Sequence, residues 1–324
     1  MKSNLKSYFW KLLVSLLLLL FLLRFVNQRE LALLLKNLAW PYLIGYFVLN
    51  FFDRLIMAYK WKILLKVKEI PCSFTKLIMV YFKGTFLGNI LPTSLGGDAV
   101  RAYELSKNTK TGIDVISSII MERFLGFLSS ALMAIMVIPL FFFLVPNFPR
   151  FLLLLLLFFL SAGILSLVLL MRGEGPPILK NLLARLPGAG KIQQVSSSFV
   201  LYRHHPRALV KFFLWSFGEQ LLPILTIFAL VLALGLKVPF YYLILIIPLA
   251  QFFARIPVSL SGFGIQEGLF VALFSFFGIS TTMAFTLGFA SNLGNILASL
   301  PGAFFYFKGS RDEKFQKNED VHQY

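Results

Sequence analysis

Cysteine is almost absent from this chain, and histidine is scarce. Cys72 is its one cysteine, so the chain cannot form an internal disulfide bond. The three histidines, His204, His205 and His322, belong to no cluster of cysteine, histidine and carboxylate residues with metal-ligand spacing. A P-loop is also missing, which argues against direct use of ATP. We therefore expect no metal and no other cofactor.

Charged residues are few, and apolar residues take their place. Charged residues make up 14% of the sequence and hydrophobic residues 58%, and the mean hydropathy is +0.80. Soluble domains average about 45–50% apolar and about 25% charged residues. Several windows reach the roughly 20 apolar residues that a helix needs to cross a bilayer. The composition therefore predicts an integral membrane protein.

Acidic residues are the scarcer of the two signs, with 14 Asp and Glu against 31 Lys and Arg, for a net charge of +17. In a soluble protein this balance would suggest nucleic-acid binding. Here no basic domain lies apart from the apolar segments. Lysine and arginine also keep cytoplasmic loops on the inner side of a membrane. We therefore expect no nucleic-acid partner.

Apolar segments of membrane-spanning length recur along the chain. Six of them predict full spans, at about 9–26, 40–58, 115–145, 151–171, 209–234 and 281–307. Two further apolar regions, about 77–92 and 241–278, are interrupted by Gly, Pro and Ser. The predicted fold is therefore an all-α, polytopic membrane helical bundle with about six full spans and two re-entrant helical hairpins.

Lysine and arginine cluster in alternate connections, which predicts the orientation. If each interrupted region returns to the side from which it entered, every basic segment falls on the cytoplasmic side. Both termini are then cytoplasmic, in the cytoplasmic (inner) membrane. We predict one transmembrane domain at 1–310, with halves at about 1–171 and 207–310, a cytoplasmic loop at 172–206, and a charged, disordered tail at 311–324.

The two interrupted regions share a short motif. PTSLGG at 92–97 and PVSLSG at 257–262 both fit P-x-S-L-x-G, and they lie 165 positions apart. In the predicted topology the two hairpins open to opposite sides, which is the pattern of an inverted repeat. A carboxylate and an arginine accompany each motif: Asp98 and Arg101 in the first, Glu267 and Arg255 in the second.

Interrupted helices at matching places in two halves are typical of a transporter's binding site. Non-helical backbone at membrane depth persists only where protein or a water-filled cavity covers it. Free N–H groups at the broken helix ends also attract anions such as phosphate. Ser94, Ser259 and Asp98 could equally cap the short helices that follow, and capping does not exclude a ligand contact.

Charged residues inside predicted spans cost about 2.5–3.5 kcal/mol each on insertion scales, so they usually face the bundle interior and pair. Glu122, Arg123 and Glu219 are such residues. Neighbours on a helix point about 100° apart, so we expect Glu122 and Arg123 each to find a partner elsewhere. Asp53 and Arg54 end the second predicted span, where reaching the interface is the favoured interpretation.

GNILPTSLGGDAVRAYEL (88–105) and ARIPVSLSGFGIQEG (254–268) together resemble the lysylphosphatidylglycerol synthase transmembrane-region family. Its P-x-x-x-G-G-D-x-x-R element matches Pro92, Gly96, Gly97, Asp98 and Arg101. Its R-x-P-x-S-x-x-G-x-G-x-x-E element matches Arg255, Pro257, Ser259, Gly262, Gly264 and Glu267. The resemblance covers nearly the whole chain in span order.

The family includes the membrane half of the multiple peptide resistance factor, which moves aminoacylated phosphatidylglycerol across the bilayer. The resemblance thus implies a lipid translocase whose substrate-binding residues are those two motifs and Ser94. Arg101 and Arg255 would pair with a lipid phosphate, and Asp98 and Glu267 would pair with them or contact a cationic headgroup. The chain ends about 17 residues after its last predicted span, so we expect no aminoacyltransferase domain and no enzyme activity.

Other functions stay open at this point. A membrane glycosyltransferase or other lipid-modifying enzyme would need a catalytic carboxylate near the outer face, where the loops offer Glu30. A non-transporting partner of a lipid-synthesis enzyme is the third interpretation. The expected lipid is a phospholipid, an aminoacyl-phospholipid or a polyprenyl phosphate, and a homo-oligomer or a complex with a lipid-synthesis enzyme is compatible with the sequence.

Overall fold

The computed structural model of the protein describes residues 20–21, 24, 26–90, 96–107, 112–144, 151–172, 189–254 and 264–308. Within these ranges every regular element is a helix, which confirms the all-α prediction. The tail at 311–324, most of the first predicted span at 9–26 and residues 173–188 of the predicted loop lie outside the described residues.

The described helices follow the predicted order of apolar segments. They are α1 (Gln28–Lys36), α2 (Trp40–Val67), α3 (Phe74–Ile90), α4 (Gly96–Ser106), α5 (Gly112–Leu144), α6 (Phe151–Arg172), α7 (Ala189–Arg203), α8 (Pro206–Glu219), α9 (Leu221–Ala233), α10 (Phe240–Ala254), α11 (Ile265–Ser275) and α12 (Thr281–Ala298). Residues 301–308 continue as a helix after a turn at 299–300.

Three helical segments of the described chain are long and apolar enough to cross a membrane. They are Gly112–Leu144, Pro206–Ala233 and Thr281–Lys308, and they coincide with three predicted spans. The second of them runs through α8 and α9 with a single turn residue, Gln220, between them. The polytopic membrane bundle predicted from the sequence is therefore present.

Helix α2 is longer than the sequence predicted, and this changes the position of its charges. The predicted span ended near residue 58, whereas the helix continues to Val67 and contains 28 residues, about 42 Å of helix axis. No Gly or Pro interrupts 53–67, so nothing in the backbone stops it. Asp53 is consequently the fourteenth residue of the helix, at its midpoint and not at its end.

The first interrupted region, predicted at about 77–92, is a continuous helix as far as Ile90, and this helix, α3, packs tightly against α4. A Cβ atom added to Gly97 would lie 2.6 Å from the carbonyl oxygen of Gly84, and one added to Gly88 would lie 3.0 Å from the Cα atom of Gly97. These glycines let the two backbones approach as small residues do in membrane bundles. Helices α10 and α11 of the second region also pack against each other, and α11 packs against α12.

Two apolar clusters of the core are formed by different sets of helices. The larger joins α5, α9, α10 and α11, and includes Phe141, Leu230, Leu249 and Phe274. The smaller joins α2, α3, α4 and α5 around Trp61. Helix α9 packs against α2, and α10 packs against α5, so helices from the two halves of the sequence interlock.

Candidate functional site

Arg101 is the centre of a buried ionic network in the first hairpin. Its side chain leaves α4 toward α2, α3 and α5, and the residue is 6% exposed. One terminal nitrogen bonds Glu122 of α5, and the other lies 3.2 Å from Asp98 Oδ1 one turn away. The arginine charge is thus shared between two carboxylates.

Two aromatic rings, one from α2 and one from α3, contact the guanidinium of Arg101. Its Cζ atom lies 4.2 Å from the ring of Trp61 and 4.0 Å from the ring of Tyr81. A planar guanidinium is the cation best suited to such contacts. The Tyr81 hydroxyl also donates to Glu122, and Trp61 Nε1 donates to Ser118 Oγ at 2.9 Å. The geometry locks Arg101 in one orientation.

Glu122 and Arg123 find separate partners, as their positions on the helix predicted. Glu122 accepts hydrogen bonds from Arg101 and Tyr81. Arg123 points away from it and bonds Asp98 through Nε. Asp98, in the first turn of α4, therefore links two arginines. These contacts tie the short helix after the first break to the long helix α5.

The second hairpin is tied to its long helix by a different set of polar atoms. Glu267 is fully buried at the start of α11, where Oε2 accepts from the backbone N–H of Gly264 at 2.7 Å. Its Oε1 accepts from Asn292 Nδ2 of α12 at 3.0 Å. Gly264 has a positive φ of 83°, which glycine adopts without strain. In the described structure Glu267 therefore closes the N-terminus of α11.

A matching spacing appears in the two halves. Asp98 bonds Arg123, and Glu267 bonds Asn292, so a residue of the short helix contacts the next long helix 25 positions on in both cases.

The predicted residues Pro92, Ser94, Arg255, Pro257, Ser259 and Gly262 lie outside the described residues. Gly96 and Gly97 begin the first turn of α4, and Gly97 packs close to α3.

A polar cavity of about 290 Å³ lies between helices of the two halves. Helix α2 contributes one face of it through residues at 50, 53, 54 and 57, which recur at the spacing of a single helix side. Helices α8, α9, α10 and α12 supply the remaining walls. The lining residues are Asn50, Asp53, Arg54, Met57, Glu219, Pro223, Thr226, Ile227, Gln251, Ser291 and Asn295.

Charges of both signs stand at this cavity. Arg54 Nη1 lies 2.9 Å from Asp53 Oδ2, and their side chains are 20% and 14% exposed. Glu219 Oε2 lies 2.6 Å from Lys60 Nζ, in a pair that is almost fully buried. The expectation that Glu219 pairs is confirmed. Lys60, two residues beyond the predicted end of the second span, lies inside α2.

Sequence reasoning missed the cavity because it placed Asp53 and Arg54 at an interface. The signal was present in the spacing of polar residues along α2, since Asn50, Asp53 and Arg54 share one face of the helix. Tyr46 extends the same face and donates from its hydroxyl to the carbonyl of Ser291, at 3.0 Å. Polar contacts across the halves therefore continue along α2.

Comparison with known proteins adds the family context. The model of the family described as "Lysylphosphatidylglycerol synthase TM region" matches residues 8–302. A UPF0104 membrane protein of Methanothermobacter thermautotrophicus is 23% identical over 83% of this chain and 84% of its own length. One of Pyrococcus horikoshii is 28% identical over 71% of this chain and 75% of its own length.

A third relative matches a shorter stretch. A UPF0104 membrane protein of Methanocaldococcus jannaschii is 29% identical over 117 residues, so the chain spans about a third of that relative, 34% of its length. No solved structure matches the chain.

Proposed function

The chain belongs to the lysylphosphatidylglycerol synthase transmembrane-region family, and from this premise we propose that it is a lipid translocase. Its substrate is a phosphate-bearing polar lipid, which it moves across the cytoplasmic membrane. The observation that supports this proposal most directly is the charged cavity between helices of the two halves.

Asp53 and Arg54 are charged residues inside a long, mostly apolar helix. They lie halfway along α2, about 20 Å from either end, and line the cavity between the two halves. Ionisable residues inside membrane bundles usually line a pathway for a polar substrate or an ion. Sites between two halves are also where transporters alternate access.

The size of the cavity suits a headgroup and not a whole lipid. Its volume of about 290 Å³ stands at the lower end of the range for small-molecule pockets, about 300–1,000 Å³. In the proposed mechanism the headgroup crosses through the polar cavity while the acyl chains stay in the surrounding bilayer. Arg54 is then the cation that meets the passing phosphate, because it lines the cavity and Lys60 is not among the lining residues.

In the proposed mechanism, Arg101 of the first hairpin has a structural role. Arg101 pairs with Glu122 and Asp98, so it holds α4 against α5 while the headgroup is bound elsewhere. Direct contact of Arg101 and Arg255 with a lipid phosphate stays a prediction. A change of partner, from carboxylate to lipid phosphate, is the step that this prediction requires of Arg101.

A lipid-flipping assay in proteoliposomes tests the proposal. The purified protein is reconstituted with fluorescent phosphatidylglycerol or a labelled polyprenyl phosphate, and quencher added outside reports the lipid that reaches the outer leaflet. The variant Asp53→Asn/Arg54→Gln removes both charges of the pair and leaves no single buried charge. We expect its flipping rate to fall at least tenfold toward that of protein-free vesicles.

A matched control uses a pair outside the cavity. Lys83 and Glu104 lie 2.8 Å apart with side chains 13% and 18% exposed, close to the values for Asp53 and Arg54. The variant Lys83→Gln/Glu104→Gln should flip lipid within about twofold of the wild-type rate. The proposal fails if the wild-type protein moves every tested lipid no faster than protein-free vesicles.

A further inference from the structure

A second concave surface, separate from the charged cavity, lies where α2 ends and α8 begins. This groove has a volume of about 690 Å³, and its lining brings together the basic residues Lys66, His204, His205, Arg207 and Lys211. Its remaining described lining residues are apolar, and none is acidic. It shares no lining residue with the charged cavity.

The cations of the groove differ from those in the bundle interior. Lys66, Arg207 and Lys211 are exposed, and none of them has a carboxylate partner among the described residues. Lys60, by contrast, is paired and buried. Their positive charge is therefore available to an anion from outside.

The N-terminus of α8 adds to the positive electrostatic potential of the groove. Pro206 is the first helical residue, and the N-cap residue His205 makes no side-chain bond to the helix. The first N–H groups of a helix carry partial positive charge and attract anions. In the groove they stand beside Arg207, so backbone and side chain favour the same sign.

The groove continues into an apolar surface along α8. A neighbouring hollow of about 410 Å³ shares Arg207 and Lys211 with it and extends to Leu214 and Trp215. Leu214 is 65% exposed and Trp215 is 42% exposed. Arg207 and Trp215 are eight residues apart, about 12 Å along the helix. A basic end and an apolar end therefore form one continuous surface.

The ion pair of Lys68 and Asp114 stabilises the walls of the groove. Lys68, which follows α2, lies 3.3 Å from Asp114 of α5 and donates to Ser198 Oγ of α7 at 2.5 Å. Burial lowers the pKa of Lys68, and the Asp114 carboxylate offsets part of that effect. This contact fixes α7, which leads into the His204–His205 turn, against α2.

We propose that the groove binds the phosphate headgroup of an anionic phospholipid from the adjoining leaflet, with an acyl chain along the Leu214–Trp215 surface. Phosphate complements cations that have no carboxylate partner among the described residues. An acyl chain suits the exposed apolar side chains of Leu214 and Trp215, which lie in the membrane-length segment Pro206–Ala233. A free phosphate ion would use the basic end alone. Because it leaves the apolar end unused, the lipid is the occupant that fits both.

Native mass spectrometry of the full, delipidated chain in detergent tests this site. Phosphatidylglycerol, phosphatidylcholine with the same acyl chains, and inorganic phosphate are titrated separately. We expect phosphatidylglycerol to bind most tightly. Arg207→Gln/Lys211→Gln should weaken its binding roughly 30-fold, about fivefold for each cation lost. Leu214→Asn should weaken both lipids and leave phosphate unaffected.

The control removes the same charge elsewhere. Arg172→Gln/Lys308→Gln, at two exposed helix ends, should keep phosphatidylglycerol affinity within about twofold of wild type. If the Arg207→Gln/Lys211→Gln variant does not fold, Lys66→Gln tests the opposite wall, with a loss of about fivefold. Equal affinity of wild type and the groove variants for phosphatidylglycerol would overturn the proposal. So would binding of phosphatidylcholine or of inorganic phosphate as tight as that of phosphatidylglycerol.

Discussion

Replacing Arg101 by methionine should destabilise the protein even when no lipid substrate is present. The substitution keeps an unbranched apolar stem but removes a charge that is 6% exposed and held between Trp61 and Tyr81. Glu122, itself 7% exposed, then keeps only the Tyr81 hydroxyl among these partners. The carboxylate becomes a buried charge without a cation.

The structure sets the expected magnitude and its order among variants. Breaking a buried ion pair by removing one partner costs about 3–5 kcal/mol. Glu122→Gln should cost less, about 1–3 kcal/mol, because Arg101 retains Asp98 as a partner. The double variant Arg101→Met/Glu122→Gln removes the unpaired charge and should be more stable than Arg101→Met alone. Adding Glu122→Gln is thus expected to restore part of the stability that Arg101→Met removes.

Unfolding in mixed micelles with increasing sodium dodecyl sulfate, followed by tryptophan fluorescence, measures these free energies. Lys107→Met is the control, since Lys107 lies 3.8 Å from Glu104 with a side chain 28% exposed, and surface pairs contribute up to about 1 kcal/mol. If the double variant is less stable than Arg101→Met, Glu122 does not depend on Arg101 and the network is misassigned. A large loss of flipping with unchanged stability would instead favour Arg101 as a lipid ligand.

Two further substitutions test other contacts by the same unfolding assay. Gly97→Ala would place a Cβ atom 2.6 Å from the carbonyl oxygen of Gly84 and should cost about 1–3 kcal/mol, whereas Gly45→Ala, with nothing within 4 Å, should not destabilise; equal effects would show that α3 and α4 are not closely packed. Lys60→Met should cost about 3–5 kcal/mol by removing the buried cation that lies 2.6 Å from Glu219, and Lys60→Met/Glu219→Gln should recover part of that loss; purely additive losses would contradict the pair.

Much of the architecture follows from the order and composition of segments. The uninterrupted apolar runs at 115–145, 209–234 and 281–307 predicted three helical segments of membrane-spanning length within a few residues, because hydrocarbon requires backbone groups to be bonded within their own helix. The positions of Gly and Pro likewise predicted that α3 and α4, and α10 and α11, would be separate helices. The partners of Glu122 and Arg123 were expected but could not be named.

The end of α2 was harder to predict, and the consequences reach the candidate site. The charges at 53 and 54 suggested that the span was ending, although nothing in 53–67 breaks a helix. Local composition could not show that Glu219, 159 positions away, neutralises Lys60 inside the bundle. A charge is tolerated at depth because of its partner, and the partner is a property of packing.

From the residues alone, the chain had to be a membrane bundle with two interrupted helix pairs, since apolar length and helix breakers act locally along the chain. The arrangement of charges depended on contacts between segments far apart. Folding buries Arg101 between two rings and two carboxylates and assembles the cavity at Asp53 from both halves. It also leaves Arg207 and Lys211 exposed, with no carboxylate partner in the described part of the chain. Electrostatic energy depends on distance in space, and the sequence does not contain those distances.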